Sequence, residues 1–297
     1  MRTSDKSMAQ REISMMEDWQ EERRKLEQEL AERITLDALT GPQGMDETEP
    51  LRDDAGSAAG WLIAQRKGGH RHSIDDVLTA WYALQVSPRV EEHLDLGTGI
   101  GTVGLLTLWG MGAAARLTCV EAQEISFRLL CSNIHQNGLD ARVHAVFGDL
   151  RELAVDQKFP LVTGSPPYFP EGTGVLPQDS QKAHARFELR GDVWDYARAG
   201  AAHLAADGWF VLCFPTSRKQ HALDGIWAAG LRVERMRDVV PRETLAPLFT
   251  LLACRHEAEF SGETTVEEPF TVRWEDGSLT EAMLAVRRGF GFSPDGR

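Results

Sequence analysis

Leu94-Asp95-Leu96-Gly97-Thr98-Gly99-Ile100-Gly101 sets three glycines at alternate positions between a run that reads as a strand, His93 to Leu96, and one that reads as a helix, Val103 to Trp109. Glycine there permits a tight turn and lets a ligand come close to the backbone. With Gly104, the glycines Gly99 and Gly101 also satisfy, loosely, the dinucleotide-binding pattern. Asp95 argues for a different ligand. A carboxylate at the strand end, ahead of the glycines, repels a pyrophosphate and attracts an ammonium. S-adenosylmethionine carries an ammonium and a sulfonium and no phosphate, and fits this arrangement better.

Strand and helix alternate outward from this stretch. Arg116 to Val120 reads as the next strand, ending at Glu121, and a helix follows from about Glu124 to Asn137 with Gly138 placed to cap it. Arg142 to Phe147 reads as a third strand, ending at Gly148-Asp149, and Phe159 to Val162 as a fourth, ending at Ser165. Val193 to Leu204 is helical and closed by an Asp207-Gly208 turn, Trp209 to Phe214 is a fifth strand, and a helix runs from about Ser217 to Ala229. Leu231 to Val240 and Leu248 to Arg255 follow without a helix between them, which predicts a closing antiparallel pair. This order implies an α/β fold, a mostly parallel sheet with helices on both faces and ligands at the carboxyl ends of the strands.

Those strand ends carry the candidate site. Glu121 stands where an acid would hold a ribose diol, and Asp149 could accept from an adenine amine. Singly, Asp95 also reads as a loop cap, Glu121 as a surface charge and Asp149 as a helix cap. Together with the glycines Gly97, Gly99 and Gly101, their placement in order points to a bound adenosyl cofactor. Ser165-Pro166-Pro167-Tyr168 reads as the reaction centre. Two prolines fix two φ angles and remove two backbone donors, so the carbonyls there stay free for a ligand. Ser165 Oγ and the Pro166 carbonyl could accept both N–H groups of a planar amine while Tyr168 covers its flat face. A proline-stiffened loop with a core tyrosine is the plainer reading of the same residues.

The chain ahead of this unit is less regular. From Ser14 to about Ile34 it is dense in Glu, Arg, Lys and Gln, with Trp19, Leu26, Leu30 and Ile34 as one narrow apolar stripe, which predicts a helical arm. Leu36 to Gly60 reads as a linker. Arg66, Lys67, His70, Arg71 and His72 make a basic turn, and Ser73 is placed to cap a helix whose first turn holds Asp75 and Asp76. The expected divisions are an arm and linker over 1–50, a leading segment over 51–90, the catalytic unit over 91–256, and a tail over 257–297 that includes an added edge strand at Phe270, Val272 and Trp274.

Composition sets bounds. With 297 residues, 42% of them apolar, the chain can bury a large core. A net charge of −13 argues against a generally basic nucleic-acid coat, so a polyanion must be met by a local patch such as the basic turn, or by Lys182, His184, Arg186 and Arg190 after the proline motif. Cys119, Cys131, Cys213 and Cys254 lack paired spacing and read as free thiols, the nine histidines show no metal-ligand spacing, and no metal is expected. No apolar run approaches the roughly twenty residues of a membrane span and no leader is visible, so a cytoplasmic protein is expected.

The set Asp95 to Gly101, Glu121, Asn133-Ile134-His135-Gln136-Asn137-Gly138-Leu139, Gly148-Asp149 and Ser165-Pro166-Pro167-Tyr168-Phe169 resembles the class I S-adenosylmethionine-dependent methyltransferases that modify planar amino groups. Within them it is most similar to the bacterial tRNA(Val) adenine-N6 methyltransferase family, which also shows segments like His70 to Leu78 and Arg186-Phe187-Glu188. The resemblance spans roughly residues 60 to 255. It implies a Rossmann-like, mostly parallel seven-stranded sheet, S-adenosylmethionine as cofactor, and methyl transfer to adenine N6 in tRNA or another structured RNA. Ser165 departs from it, since asparagine is expected there, and Ser-Pro-Pro-Tyr also occurs in cytosine-N4 methyltransferases. A protein-glutamine N5 methyltransferase and a non-catalytic cofactor-binding protein are the other readings these residues allow.

Overall fold

The computed structural model describes residues 20–41, 60–173 and 175–292. Helix α1 occupies residues 20–30 and stops where Ala31 turns into the left-handed region, φ 47°. The chain then extends as β1 (Ile34–Ala38), which pairs antiparallel with β2 (Leu62–Arg66). The helical stripe expected to reach Ile34 therefore ends a turn early. Ile34 is buried as a strand residue, and it and Leu26 of α1 join the main apolar cluster. The rest of the expected arm, residues 14–19, and most of the expected linker, 42–59, lie outside the described residues.

Helix α2 (Ile74–Val86) begins as its sequence signals, with the Ser73 N–H donating to the Asp76 carboxylate at 3.0 Å. It leads into β3 (Glu92–Leu96), α3 (Thr102–Met111), β4 (Arg116–Glu121), α4 (Glu124–Gln136), β5 (Val143–Phe147) and β6 (Phe159–Gly164). After the proline motif come α5 (Ser180–Arg186), α6 (Val193–His203), β7 (Leu204–Pro215), α7 (Lys219–Ala228), β8 (Leu231–Val240) and β9 (Phe249–His256). The tail adds β10 (Thr265–Val266), β11 (Phe270–Thr271) and α8 (Glu281–Gly289). The expected Asp207-Gly208 turn is not a turn between elements. Both residues lie inside β7, where its pairing with β6 shifts register between Leu204 and Trp209.

The strand order is β10-β8-β9-β7-β6-β3-β4-β5, with β11 also on β8. Strands β7, β6, β3, β4 and β5 are parallel, and β9 lies antiparallel between β8 and β7. This is the expected seven-stranded sheet, lengthened at one edge by two dipeptide strands. Alternate residues of β9 feed opposite faces: Phe249, Leu251 and Ala253 join the cluster containing α2, α3 and α4, whereas Leu252 and Cys254 join the one containing α6 and α7.

The chain order reverses at β3, with β4 and β5 on one side and β6 and β7 on the other. That reversal opens a crevice at the carboxyl ends of β3 and β6. Because Leu96 is in register with Gly164, Gly97 and Ser165 leave neighbouring strands side by side. Residues separated by nearly seventy positions thus begin the two loops that face one another.

Candidate active site

On the β3 side, Asp95 is buried at the strand end. Its Oδ2 accepts from Thr98 Oγ1 at 2.5 Å and from the Gly104 N–H at 3.0 Å, and its Oδ1 accepts from Thr163 Oγ1 at 2.6 Å. Thr163 belongs to β6, so Asp95 braces the glycine loop against the strand that carries Ser165. Thr163 gives its single hydroxyl proton to Asp95, so His93 Nε2, 2.7 Å away, must carry the hydrogen it shares with Thr163. Burial lowers the His93 pKa to about 3 and keeps the ring neutral. Asp95, expected to meet an ammonium, here has a structural role that occupies much of its carboxylate.

Gly97 and Gly99 take φ values of 58° and 60°. A Cβ on Gly97 would lie 1.8 Å from Tyr196 Oη of α6, whereas one on Gly99 would meet nothing within 4 Å. The first glycine therefore permits close packing and the second leaves the cavity open. The Gly99 N–H donates to Glu121 Oε2 at 2.9 Å, and Gln123 N–H to Glu121 Oε1 at 2.6 Å. Burial pushes the Glu121 carboxyl above its usual range. Asp149 lines the same cavity, but its carboxylate receives three donors from Arg151, at 2.9, 2.9 and 2.6 Å, which lower its pKa and cap the short 3-10 turn Leu150–Glu152.

On the β6 side, Pro166 and Pro167 are buried, and no hydrogen bond among the described residues uses the Pro166 carbonyl. Ser165 Oγ lies 3.5 Å from Cys213 Sγ of β7. Tyr168 Oη donates to Asp75 Oδ2 at 2.6 Å, lies 3.2 Å from the same sulfur, and its ring packs edge-on against Phe214 at 6.1 Å. Burial, with these neighbours, holds the phenol well above its ordinary pKa, so it stays a donor. The backbone is pinned as well. The Tyr168 and Phe169 N–H groups donate to the Arg186 carbonyl at 3.0 and 2.9 Å, and Arg218 bridges the Tyr168 carbonyl and Glu188, at 2.7 and 2.6 Å.

The two sides enclose one cavity of about 850 Å³, lined by the glycine loop, Glu121 and Asp149 on one wall and by Ser165 to Tyr168 on the other.

A family model described as a methyltransferase small domain matches residues 72–191, which contain both walls. A tRNA1(Val) (adenine(37)-N6)-methyltransferase from Actinobacillus pleuropneumoniae serotype 5b is 30% identical over 232 residues, spanning 77% of this chain and 94% of its own length. The chain belongs to the tRNA1(Val) (adenine(37)-N6)-methyltransferase family. A member so named from Klebsiella pneumoniae subsp. pneumoniae is 25% identical, over 72% of this chain and 84% of its own. The fold is shared more widely: the crystal structure of a predicted O-methyltransferase from Agrobacterium tumefaciens superposes with a TM-score of 0.56 at 17% identity, over 73% of this chain and 96% of that one.

This member of the family places further groups in the cavity that a linear reading assigns elsewhere. Asp75 and Asp76 read as favourable charges at a helix start, yet both line the cavity. Burial, then the neighbouring Asp75 and Asp95 carboxylates, push the Asp76 carboxyl well above its usual range. Arg218 also lines the cavity, whereas Cys213 and Thr163 are buried behind it, and none of the three carries a motif, because each acts through a partner distant in sequence. The basic turn is largely committed to structure. Arg66 is buried between Glu32 and Asp179, at 2.7 Å to each, and Arg71 pairs with Asp37 at 2.9 Å. Cys119, Cys213 and Cys254 are buried free thiols and Cys131 is an exposed one.

Proposed function

We propose that the protein transfers a methyl group from S-adenosylmethionine to the exocyclic N6 of an adenine in the anticodon region of a tRNA, acting in the cytoplasm. The observation that carries this reading is the single cavity shared by the glycine loop and the Ser165 to Tyr168 corner. Family membership supplies the substrate class, and the curated relatives are named for adenine 37 of tRNA1(Val).

The residues present suit this cofactor. Asp75, Asp76, Asp95 and Glu121 line the cavity, four carboxyl groups that suit a ligand carrying positive charge. Asp76 is the natural partner for the ammonium, since a cation beside it would relieve the cost of its buried charge. Glu121 would accept from the ribose hydroxyls. When bound, S-adenosylmethionine supplies a methyl group on a positively charged sulfur, open to in-line attack.

The rest of the chemistry is positioning. An adenine amine is a poor nucleophile because its lone pair is conjugated into the ring. Ser165 Oγ and the Pro166 carbonyl accept its two hydrogens, which favours the localised lone pair as charge develops. The Tyr168 ring holds the base plane, and is itself fixed through Asp75, Cys213 and Arg218. The adenine has to leave its stack to enter, at least cost from a single-stranded loop. Only ten residues separate Phe169 from Ser180 at the start of α5, which leaves no room for a large reading domain there.

Incubation with methyl-labelled S-adenosylmethionine and separate tRNA and protein pools, followed by mass analysis of the nucleosides, tests this. Label in N6-methyladenosine is expected. Label in N4-methylcytidine, which Ser165 in place of asparagine keeps open, or only in protein, would contradict it.

A further inference from the structure

Tyr168 and Phe169 are consecutive, and the cavity uses them differently. Tyr168 has its hydroxyl tied to Asp75, whereas Phe169 stays 39% exposed while lining the same cavity. Its position is not loose. Its N–H donates to the Arg186 carbonyl at 2.9 Å, its carbonyl accepts from the Glu188 N–H at 2.9 Å, and its ring packs on Phe187 at 5.5 Å. The Arg186 guanidinium lies over the Phe169 ring, 5.5 Å from its centre. A fixed, partly exposed aromatic ring carrying a planar cation is a surface on which a nucleobase of any identity can stack.

Charge around it points to the same ligand. Arg66, Arg71 and Arg218 are each paired with a carboxylate. Lys67, Lys182, Arg186 and Arg190 line the cavity too, and among the described residues none of their side chains closes an ion pair with a carboxylate, although Asp179, which accepts from the Lys182 N–H, also feels the Lys182 charge. Four cationic side chains outside any ion pair, lining one cavity of a chain with net charge −13, make a local site for phosphates.

We propose that Phe169 and Arg186 form a second stacking platform, for the nucleotide next to the adenine that enters the cavity, with Lys67 and Lys182 meeting its phosphates. The platform rests on the RNA reading above and adds to it: the enzyme holds two adjacent nucleotides, one by hydrogen bonds at Ser165 and Pro166, the other by stacking without regard to base identity. Extrusion of the target breaks the neighbour's stacking, and the platform replaces it.

The test uses the full chain and tRNA stem-loops carrying 2-aminopurine immediately 5′ or immediately 3′ of the target adenine. Binding is expected to quench the fluorescence at one of the two positions, and Phe169→Leu, which keeps the apolar packing on Phe187 but removes the π face, is expected to abolish the quench. KM for RNA should rise about tenfold with kcat within about twofold and S-adenosylhomocysteine affinity unchanged. An abasic site at the quenched position should weaken binding by the wild type about tenfold and leave the variant no weaker than it already is. Lys67→Ala and Lys182→Ala should each make the salt dependence of binding shallower. Absence of quenching at both positions, indifference of the wild type to the abasic site, or a loss in kcat with KM unchanged would overturn the platform. Methylation without quenching would remove the platform and leave the proposed activity standing; quenching without methylation would do the reverse.

Discussion

Asp75 shows how much of the site is decided between single residues far apart in the chain. Its carboxylate accepts from the Tyr168 hydroxyl across 93 positions, and from Ser73 Oγ at the start of its own helix. No spacing rule links 75 to 168, so the sequence shows a helix-start charge and the fold shows a brace for the Tyr168 hydroxyl. Asp75→Asn keeps the shape but gives up the charged acceptor, a contact worth about 1.5–3 kcal/mol. Turnover is expected to fall about tenfold or more, with S-adenosylhomocysteine affinity within a few-fold, as read by steady-state kinetics and calorimetry. Asp76 makes a complementary test through pH. Its folded-state pKa is raised, so its contribution to stability is full below the ordinary carboxylate pKa and is lost as pH rises through the raised value. Asp76→Asn does not titrate. Without cofactor, the variant should therefore gain in melting temperature relative to wild type between pH 4 and pH 8, and a constant difference would show that the carboxyl is not strained.

At the scale of elements, the glycine loop and the proline corner were legible because each depends on backbone geometry that few residue types allow. The two positive-φ glycines separate experimentally. Gly97→Ala would press its Cβ against Tyr196 Oη, whereas Gly99→Ala meets open cavity and carries only the left-handed strain of about 1–2 kcal/mol. Denaturant titration is expected to show the larger destabilisation at Gly97, and cofactor titration to show that folded Gly99→Ala binds S-adenosylhomocysteine more weakly. Equal destabilisation would contradict the assigned packing. Other elements were hidden for physical reasons. Ile34 fits the helical period of the arm, and only pairing with Leu62–Arg66 makes it a strand. Helix α5 is seven residues long, too short for a periodic signal, and is set by Asp179 capping the Lys182 N–H at 2.9 Å. Asp207 and Gly208 have turn chemistry that β6 pairing overrides. Met283, Val286 and Phe290 of the tail do recur at helical spacing, and all three are buried, but the acidic stretch ahead of them obscures the pattern.

For the molecule as a whole, strand order decides function more than any motif does. Reversal of the order at β3 brings the acid and glycines of one loop against the serine and prolines of another, and the brace from Asp95 to Thr163 joins them. The chain is acidic overall, with a net charge of −13, yet the cavity gathers basic side chains such as Lys67, Lys182 and Arg186 beside the carboxylates of Asp75, Asp76, Asp95 and Glu121. The central claim is a division of labour between the two walls of the cavity. It is tested most directly by measuring S-adenosylhomocysteine affinity and single-turnover methyl transfer to a tRNA stem-loop for Tyr168→Ala and Asp95→Asn. Tyr168→Ala should lower transfer at least about a hundredfold with affinity within a few-fold, while Asp95→Asn should weaken affinity itself. Equal loss of affinity in both variants, or transfer undiminished in Tyr168→Ala, would contradict the account.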